Sequence, residues 1–226
     1  VGALLVLEVI RPGERPLHAL RERGVEYVEV RLMDINPFEN MGISQSTMRL
    51  LDVFLLHCLL SDSPPDSPEE IVQLKHNQHL AAERGREPGL QLLRGQDRVA
   101  LVDWAAQVLQ ECAPMAAALD ATHATTAYSD ALAQARQRVA QPQTTPSARV
   151  LDDMRRLHGN SFEQFGLTQS LWAREHLLGL PWSEAQQAQF AQFAQTSVQA
   201  QQAIEAADTG TFEEWRQRYM DPAALG

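Results

Sequence analysis

An α+β fold with a helical majority is what this sequence predicts, on three observations. Residues 25–32 alternate with period two, as a half-covered strand does. Everything after Phe38 repeats with the 3.6-residue period of helices. Besides 25–32 there is only one weaker strand candidate, and two strands make a marginal sheet, so the strands belong to a larger antiparallel sheet whose remainder is not in this chain. The 226 residues suffice for one or two domains, read here as a strand segment over 1–38 and a helical region over 39–226.

In the strand, Val28, Val30 and Leu32 point one way while Tyr27, Glu29 and Arg31 point the other, giving one apolar and one ionic face. The weaker candidate is the Leu- and Val-rich run 3–10. Residues 11–16, Arg-Pro-Gly-Glu-Arg-Pro, form a loop, and 17–23 a short helix ended by Gly24. Residues 46–60 carry Met48, Leu51, Phe54, Leu55 and Cys58 at helical spacing before the break at Ser61-Asp62-Ser63-Pro64-Pro65. The next helix starts on Ser67 as N-cap, with Pro68 at its first position and Glu70 to close a capping box; it runs to about Arg84, with Gly85 as its cap. Helices over 99–119, 129–140, 147–157 and 161–178 follow, with 141–146 as a linker. The Ala- and Gln-biased run 183–207 predicts a long surface helix, and a last helix begins near Thr211 with Phe212, Trp215 and Tyr219 as a packing stripe. No internal repeat is present.

Composition narrows the function classes. Lys and Arg number 19 against 29 Asp and Glu, a net charge of −10 that repels phosphate backbones and anionic lipid, so neither nucleic acid nor a membrane surface is an expected partner. Cys58 and Cys112 lie in apolar helical patterns and read as small buried hydrophobes, too few for a disulfide framework or a thiolate metal cluster. The longest apolar run, 50–60, is interrupted by Asp52 and His57 and falls well short of the roughly 20 residues that span a bilayer. A soluble, cytoplasmic protein is expected. The apolar opening 1–7 lacks the basic flank of a signal peptide and an initiator Met, and reads as part of a longer polypeptide.

Few constellations carry chemistry. Glu29 and Arg31, two apart on a strand, stand on one face about 7 Å apart, a spacing that lets a carboxylate hold a divalent metal while a guanidinium contacts a phosphoryl oxygen. The same pattern serves cross-strand ion pairs, which pattern alone favours. His76, His79 and Glu83 share a helix side at zinc-ligand spacing but have no third strong ligand, so a solvated face is expected. His57 and Cys58 read as core or near-core, and His123 and His158 as surface residues. Neither a GxxxxGK[ST] phosphate loop nor a GxSxG elbow occurs.

The run Glu26-Tyr27-Val28-Glu29-Val30-Arg31-Leu32-Met33-Asp34-Ile35-Asn36-Pro37-Phe38 resembles the EYxEVRxxDxNPF segment of bacterial glutamate–cysteine ligases. The resemblance continues through Leu51-Asp52-Val53-Phe54 with Cys58, Asn77, Gly85-Arg86-Glu87-Pro88-Gly89, Ser147-Ala148-Arg149-Val150-Leu151, and Glu205-Ala206-Ala207-Asp208 before Phe212 and Trp215, in the order of the family's C-terminal portion. It implies a glutamine-synthetase-like catalytic sheet to which 1–38 contributes, ATP-dependent joining of L-glutamate to L-cysteine through an acyl phosphate, and ATP and Mg2+ as requirements. It places Glu29 on the family's metal-binding glutamate and Arg31 on the arginine that meets the nucleotide's transferring γ-phosphoryl group. Val9-Ile10 stand where the family carries a longer segment with a cysteine-contacting tyrosine, and the family's N-terminal half, with most acidic metal ligands, is absent. That half is therefore an expected partner, and the chain alone is expected to be inactive. The rival reading is a non-catalytic helical scaffold or protein-binding module; an enzyme needs several carboxylates converging on Glu29, and a scaffold does not.

Overall fold

The computed structural model describes residues 3–7, 11, 14–31 and 33–221, with 3–7 as backbone only. In chain order these form β1 (Ala3–Leu7), α1 (Pro16–Arg23), β2 (Tyr27–Arg31), α2 (Gln45–Leu60), α3 (Pro68–Arg84), β3 (Gln91–Arg94), β4 (Asp97–Ala100), α4 (Leu101–Glu111), α5 (Ala113–His123), α6 (Ala127–Ala140), a 3-10 turn at Pro142–Thr144, α7 (Pro146–Leu157), α8 (Phe162–Leu178), α9 (Glu184–Ala207) and α10 (Phe212–Met220). The chain is mostly helical, with β1 paired to β2 and β3 to β4. The tail of the first expected strand, residues 8–10, and Leu32 of the second lie outside the described residues.

Two compact units are present, one built on Arg31–Leu178 and the other on Leu4–Val30 with Gly179–Gly226. In the first, α2, α4, α5 and α6 pack together around a core of Val53, Cys112, Ala116 and Leu132, ringed by half-buried Leu50, Val108, Leu109 and Met115. Cys112 and Ala116 at its centre are small, which lets the helices approach closely there. Asp120 of α5 joins the layer to α6, accepting the backbone N–H of Tyr128 and of Ser129 at 2.9 Å each. It thereby does the capping that Thr126 does not do for α6. Lost hydration pushes its carboxyl up, but bonds from the Ser129 hydroxyl and the two amides hold it below the ordinary carboxylate value.

In the second unit, Glu14 holds the loop before α1 through two bonds from Arg23, at 2.7 and 2.8 Å, and one from the Arg11 amide at 3.0 Å. The Arg23 guanidinium and that amide hold Glu14 down to about 2. The stripe Phe212, Trp215 and Tyr219 stacks along α10 with ring centroids 5.8 and 5.1 Å apart, and Arg15 lies over Tyr219 at 4.6 Å. Both α9 and α10 begin with reciprocal capping boxes, Ser183 with Gln186 and Thr211 with Glu214. At Ser67 of α3 the expected forward bond forms, its hydroxyl accepting the Glu70 amide at 3.1 Å.

Four expectations change. Residues 91–100 form an antiparallel hairpin, Arg94 opposite Asp97, whose two-residue turn sets Gly95 at φ +63°. Leu92 and Leu93 are both half-buried, so the strand lacks the alternation that would have betrayed it. The helix expected over 99–119 is instead β4, α4 and α5, parted at Cys112. Pro114 near the start of α5 supplies no N–H, and its ring would collide with the carbonyl of Gln110 in a continuous helix. Cys112 is buried as expected, but Cys58 is exposed at the end of α2, while His57 is half-buried with its Nε2 3.6 Å from a Glu111 carboxylate oxygen. Lastly, the apolar face of β2 is not sealed: Val28 is 42% exposed, as open as Tyr27 at 43% on the ionic side.

Candidate functional site

Glu29 and Arg31 leave β2 on the same side by strand alternation. Glu29 is half-buried and Arg31 exposed, so one carboxylate sits at the edge of solvent, and solvent reaches the guanidinium two residues on. A half-buried carboxylate is a hard oxygen donor suited to magnesium, which takes one or two protein carboxylates and keeps waters and phosphates for its other positions. The fit is to one ligand. Among the described residues, no group of three His, Cys, Asp or Glu side chains converges to hold a metal. The several carboxylates that a complete site needs around Glu29 are not assembled within them, nor are His76, His79 and Glu83, all exposed on α3.

The strand delivers the chain into a structured turn over Asp34–Ser44. The Asn36 side chain accepts the Phe38 amide at 3.2 Å, an Asx turn, while the Asn36 amide donates to the Gly42 carbonyl at 2.8 Å. Gly42 closes the turn at φ +75°, where a Cβ would stand 2.9 Å from Ile35 Cγ2, so both the backbone angle and the space call for glycine. Phe38 is gripped on two sides. Its ring meets buried Phe165 edge-on at 6.0 Å, and the Arg149 guanidinium lies over it at 3.7 Å. His158 packs edge-on against the same Phe165 at 5.7 Å, which gives that histidine a packing role, and His123 stacks on Tyr128 at 5.8 Å.

Segments far apart in sequence thus meet. Phe38, closing the run that carries Glu29 and Arg31, touches Arg149 from the Ser147–Leu151 stretch. Arg149 and Arg86, from the Gly85–Gly89 stretch, line one groove. Neither arginine stood out in sequence, because nothing in a helical surface pattern says that one of its cations covers a ring more than 100 residues away. Asn77, in contrast, is structural: it is 6% exposed, and its side-chain amide donates to the Leu93 carbonyl at 2.7 Å and accepts the Leu93 amide at 2.9 Å, mimicking a strand neighbour for β3. No described helix is long and apolar enough to cross a membrane.

Residues 6–81 match the glutamate-cysteine ligase family model. Relatives named glutamate–cysteine ligase include one from Alcanivorax borkumensis, 39% identical over 211 residues, and one from Azotobacter vinelandii, 40% identical over 212. That from Pseudomonas paraeruginosa is 44% identical over 208 residues. These alignments take in 92 to 94% of this chain, which spans only about two-fifths of the length of each relative. The crystal structure of Francisella tularensis glutamate–cysteine ligase in complex with AMP superposes with a TM-score of 0.85 at 30% identity, over 97% of this chain and 43% of that one.

Proposed function

We propose that this chain, related in sequence and fold to the glutamate–cysteine ligases, is the C-terminal portion of an ATP-dependent ligase of that kind, acting in glutathione biosynthesis in the cytoplasm. The observation that carries the reading is the match of nearly the whole chain, in sequence and in fold, to a part of those enzymes. On this reading residues 1–38 supply a strand segment of a larger catalytic sheet, and 39–226 a helical region that holds it in place.

The reaction joins the γ-carboxyl of L-glutamate to the amine of L-cysteine. The carboxylate attacks the γ-phosphorus of ATP and releases ADP; the amine then attacks the acyl carbon and expels phosphate. Arg31 contacts the γ-phosphoryl oxygens, where planar guanidinium donors meet charge that is redistributed during transfer. Glu29 is the residue of this chain that would hold a magnesium ion, whose chemistry there is to neutralise phosphate charge. The turn fixed by Asn36, Gly42 and the Phe38 contacts limits where Arg31 can be delivered.

One carboxylate cannot hold the metal ions that such phosphoryl transfer demands, so the 226-residue chain is expected to be inactive alone. The test is formation of γ-glutamylcysteine and ADP from glutamate, cysteine and MgATP by the chain alone, by the rest of its polypeptide alone, and by both together. Activity only in the mixture supports the reading, and turnover by the chain alone overturns the assignment of a portion. The absence of a converging carboxylate set among the described residues also suits a non-catalytic scaffold. That reading requires that the longer polypeptide carrying this sequence show no ligase turnover.

A further inference from the structure

The turn after α3, the 3-10 turn and one side of α7 enclose an open groove of about 870 Å³ within the first unit. It is the wrong sign for this protein. In a chain with ten more acidic than basic residues, four arginines, Arg86, Arg149, Arg155 and Arg156, line the groove against two aspartates, Asp152 and Asp153. Both aspartates are spent on a single arginine, since Arg156 Nε lies 2.8 Å from Asp152 and its terminal nitrogen 3.0 Å from Asp153. Arg86 and Arg155 make no hydrogen bond or ion pair among the described residues, so their charge is not cancelled within the groove.

Arg149 is held ready. Its guanidinium carbon lies over the Phe38 ring, 3.7 Å from the centroid, and Phe38 itself abuts buried Phe165. Stacking occupies the face of a guanidinium and leaves its N–H donors, which radiate in the plane, free for an anion. A donor ordered before binding loses less freedom on binding.

Spacing selects the anion. Arg149 and Arg155 are six residues apart on α7, about 9 Å along the axis, and Arg86 approaches from a different element. Meeting all three at once asks for more acceptor oxygens, spread along the groove, than one carboxylate carries; a chain of two or three phosphoryl groups supplies them, and phosphate oxygens suit arginine forks. We propose that this groove is a binding site for a small ligand bearing a di- or triphosphate chain, set apart from the β2 residues assigned to the ligase reaction. Occupancy would bear on Phe38 through Arg149, and so on the turn that follows Arg31.

The test is titration calorimetry of the 226-residue chain with orthophosphate, pyrophosphate and tripolyphosphate at fixed ionic strength. Affinity should rise with chain length and saturate at one ligand per chain. The Arg86→Gln/Arg155→Gln variant, altered only at exposed and unpartnered positions, should keep the parent circular dichroism spectrum and melting temperature and bind tripolyphosphate at least tenfold more weakly. Arg31→Gln should leave that affinity within about twofold. Equal affinity in the double variant, or no binding by the parent at millimolar ligand, overturns the proposal. Loss of binding in Arg31→Gln alone places the polyphosphate at β2, which also overturns the groove while leaving the ligase reading standing.

Discussion

Removing the Asn77 side chain should loosen the joint between α3 and the β3–β4 hairpin. Asn77 is 94% buried and makes two short hydrogen bonds to the backbone of one residue, Leu93. In Asn77→Ala both bonds are lost, each worth about 1 kcal/mol net, and the Leu93 N–H and C=O are left half-buried and unpaired, which adds about 1–2 kcal/mol after partial access of water. A destabilisation of about 3–4 kcal/mol follows, or a fall in melting temperature of roughly 6–16 °C for a protein of this size. Thermal and urea unfolding followed by circular dichroism measure it. Asn77→Asp separates hydrogen bonding from packing. A protonated Asp can still donate to the Leu93 carbonyl, whereas an ionised one faces that oxygen with negative charge, so the folded state holds the proton more tightly than the unfolded chain. Stability of that variant is therefore highest below the ordinary carboxylate value and declines as pH rises through the raised folded value. A melting temperature for Asn77→Ala within 2 °C of the parent would refute the reasoning.

Glu14 supplies a second pH signature: its carboxyl is lowered from 4.5 to about 2 in the folded state, so its contribution is complete above about pH 4.5 and is lost as pH falls towards 2. Glu14→Gln should flatten the stability profile in that window, as acid titration of the melting temperature will show. Gly42→Ala should cost about 1–2 kcal/mol from its φ of +75°, with more from the Ile35 contact, and on the proposed ligase reading should lower kcat of the longer polypeptide because it displaces the turn after Arg31. If Glu29 holds magnesium as proposed, Glu29→Gln in the longer polypeptide should raise the magnesium concentration for half activity severalfold, read from a magnesium titration, since a neutral amide is a poorer ligand for a hard cation.

The helices from α6 onward were legible because caps and breakers declare their ends: Ser183, Thr211 and the Pro142 to Pro146 stretch stand where α9, α10 and α7 need them. The hairpin was not, since its strands of four residues carry no alternation and its turn is the unremarkable pair Gly95-Gln96. Pro114 was the overlooked signal for the break between α4 and α5. Of the candidate site, Glu29 and Arg31 could be named from a strand motif, because two residues apart on a strand is a local relation. The Arg149–Phe38 contact and the arginine groove depend on how α7 lies against the turn over Asp34–Ser44, a tertiary relation that no local pattern encodes.

The central claim is that Arg31 serves phosphoryl transfer, and steady-state kinetics of Arg31→Lys in the full-length polypeptide test it most directly. Lysine keeps the charge and loses the planar fork, so kcat should fall at least roughly a hundredfold, the order expected for one preorganised electrostatic donor, while the KM for ATP changes by less than about threefold. A kcat within about threefold of the parent, accompanied by a lower melting temperature, would contradict the account and make Arg31 one half of a structural ion pair on the strand face.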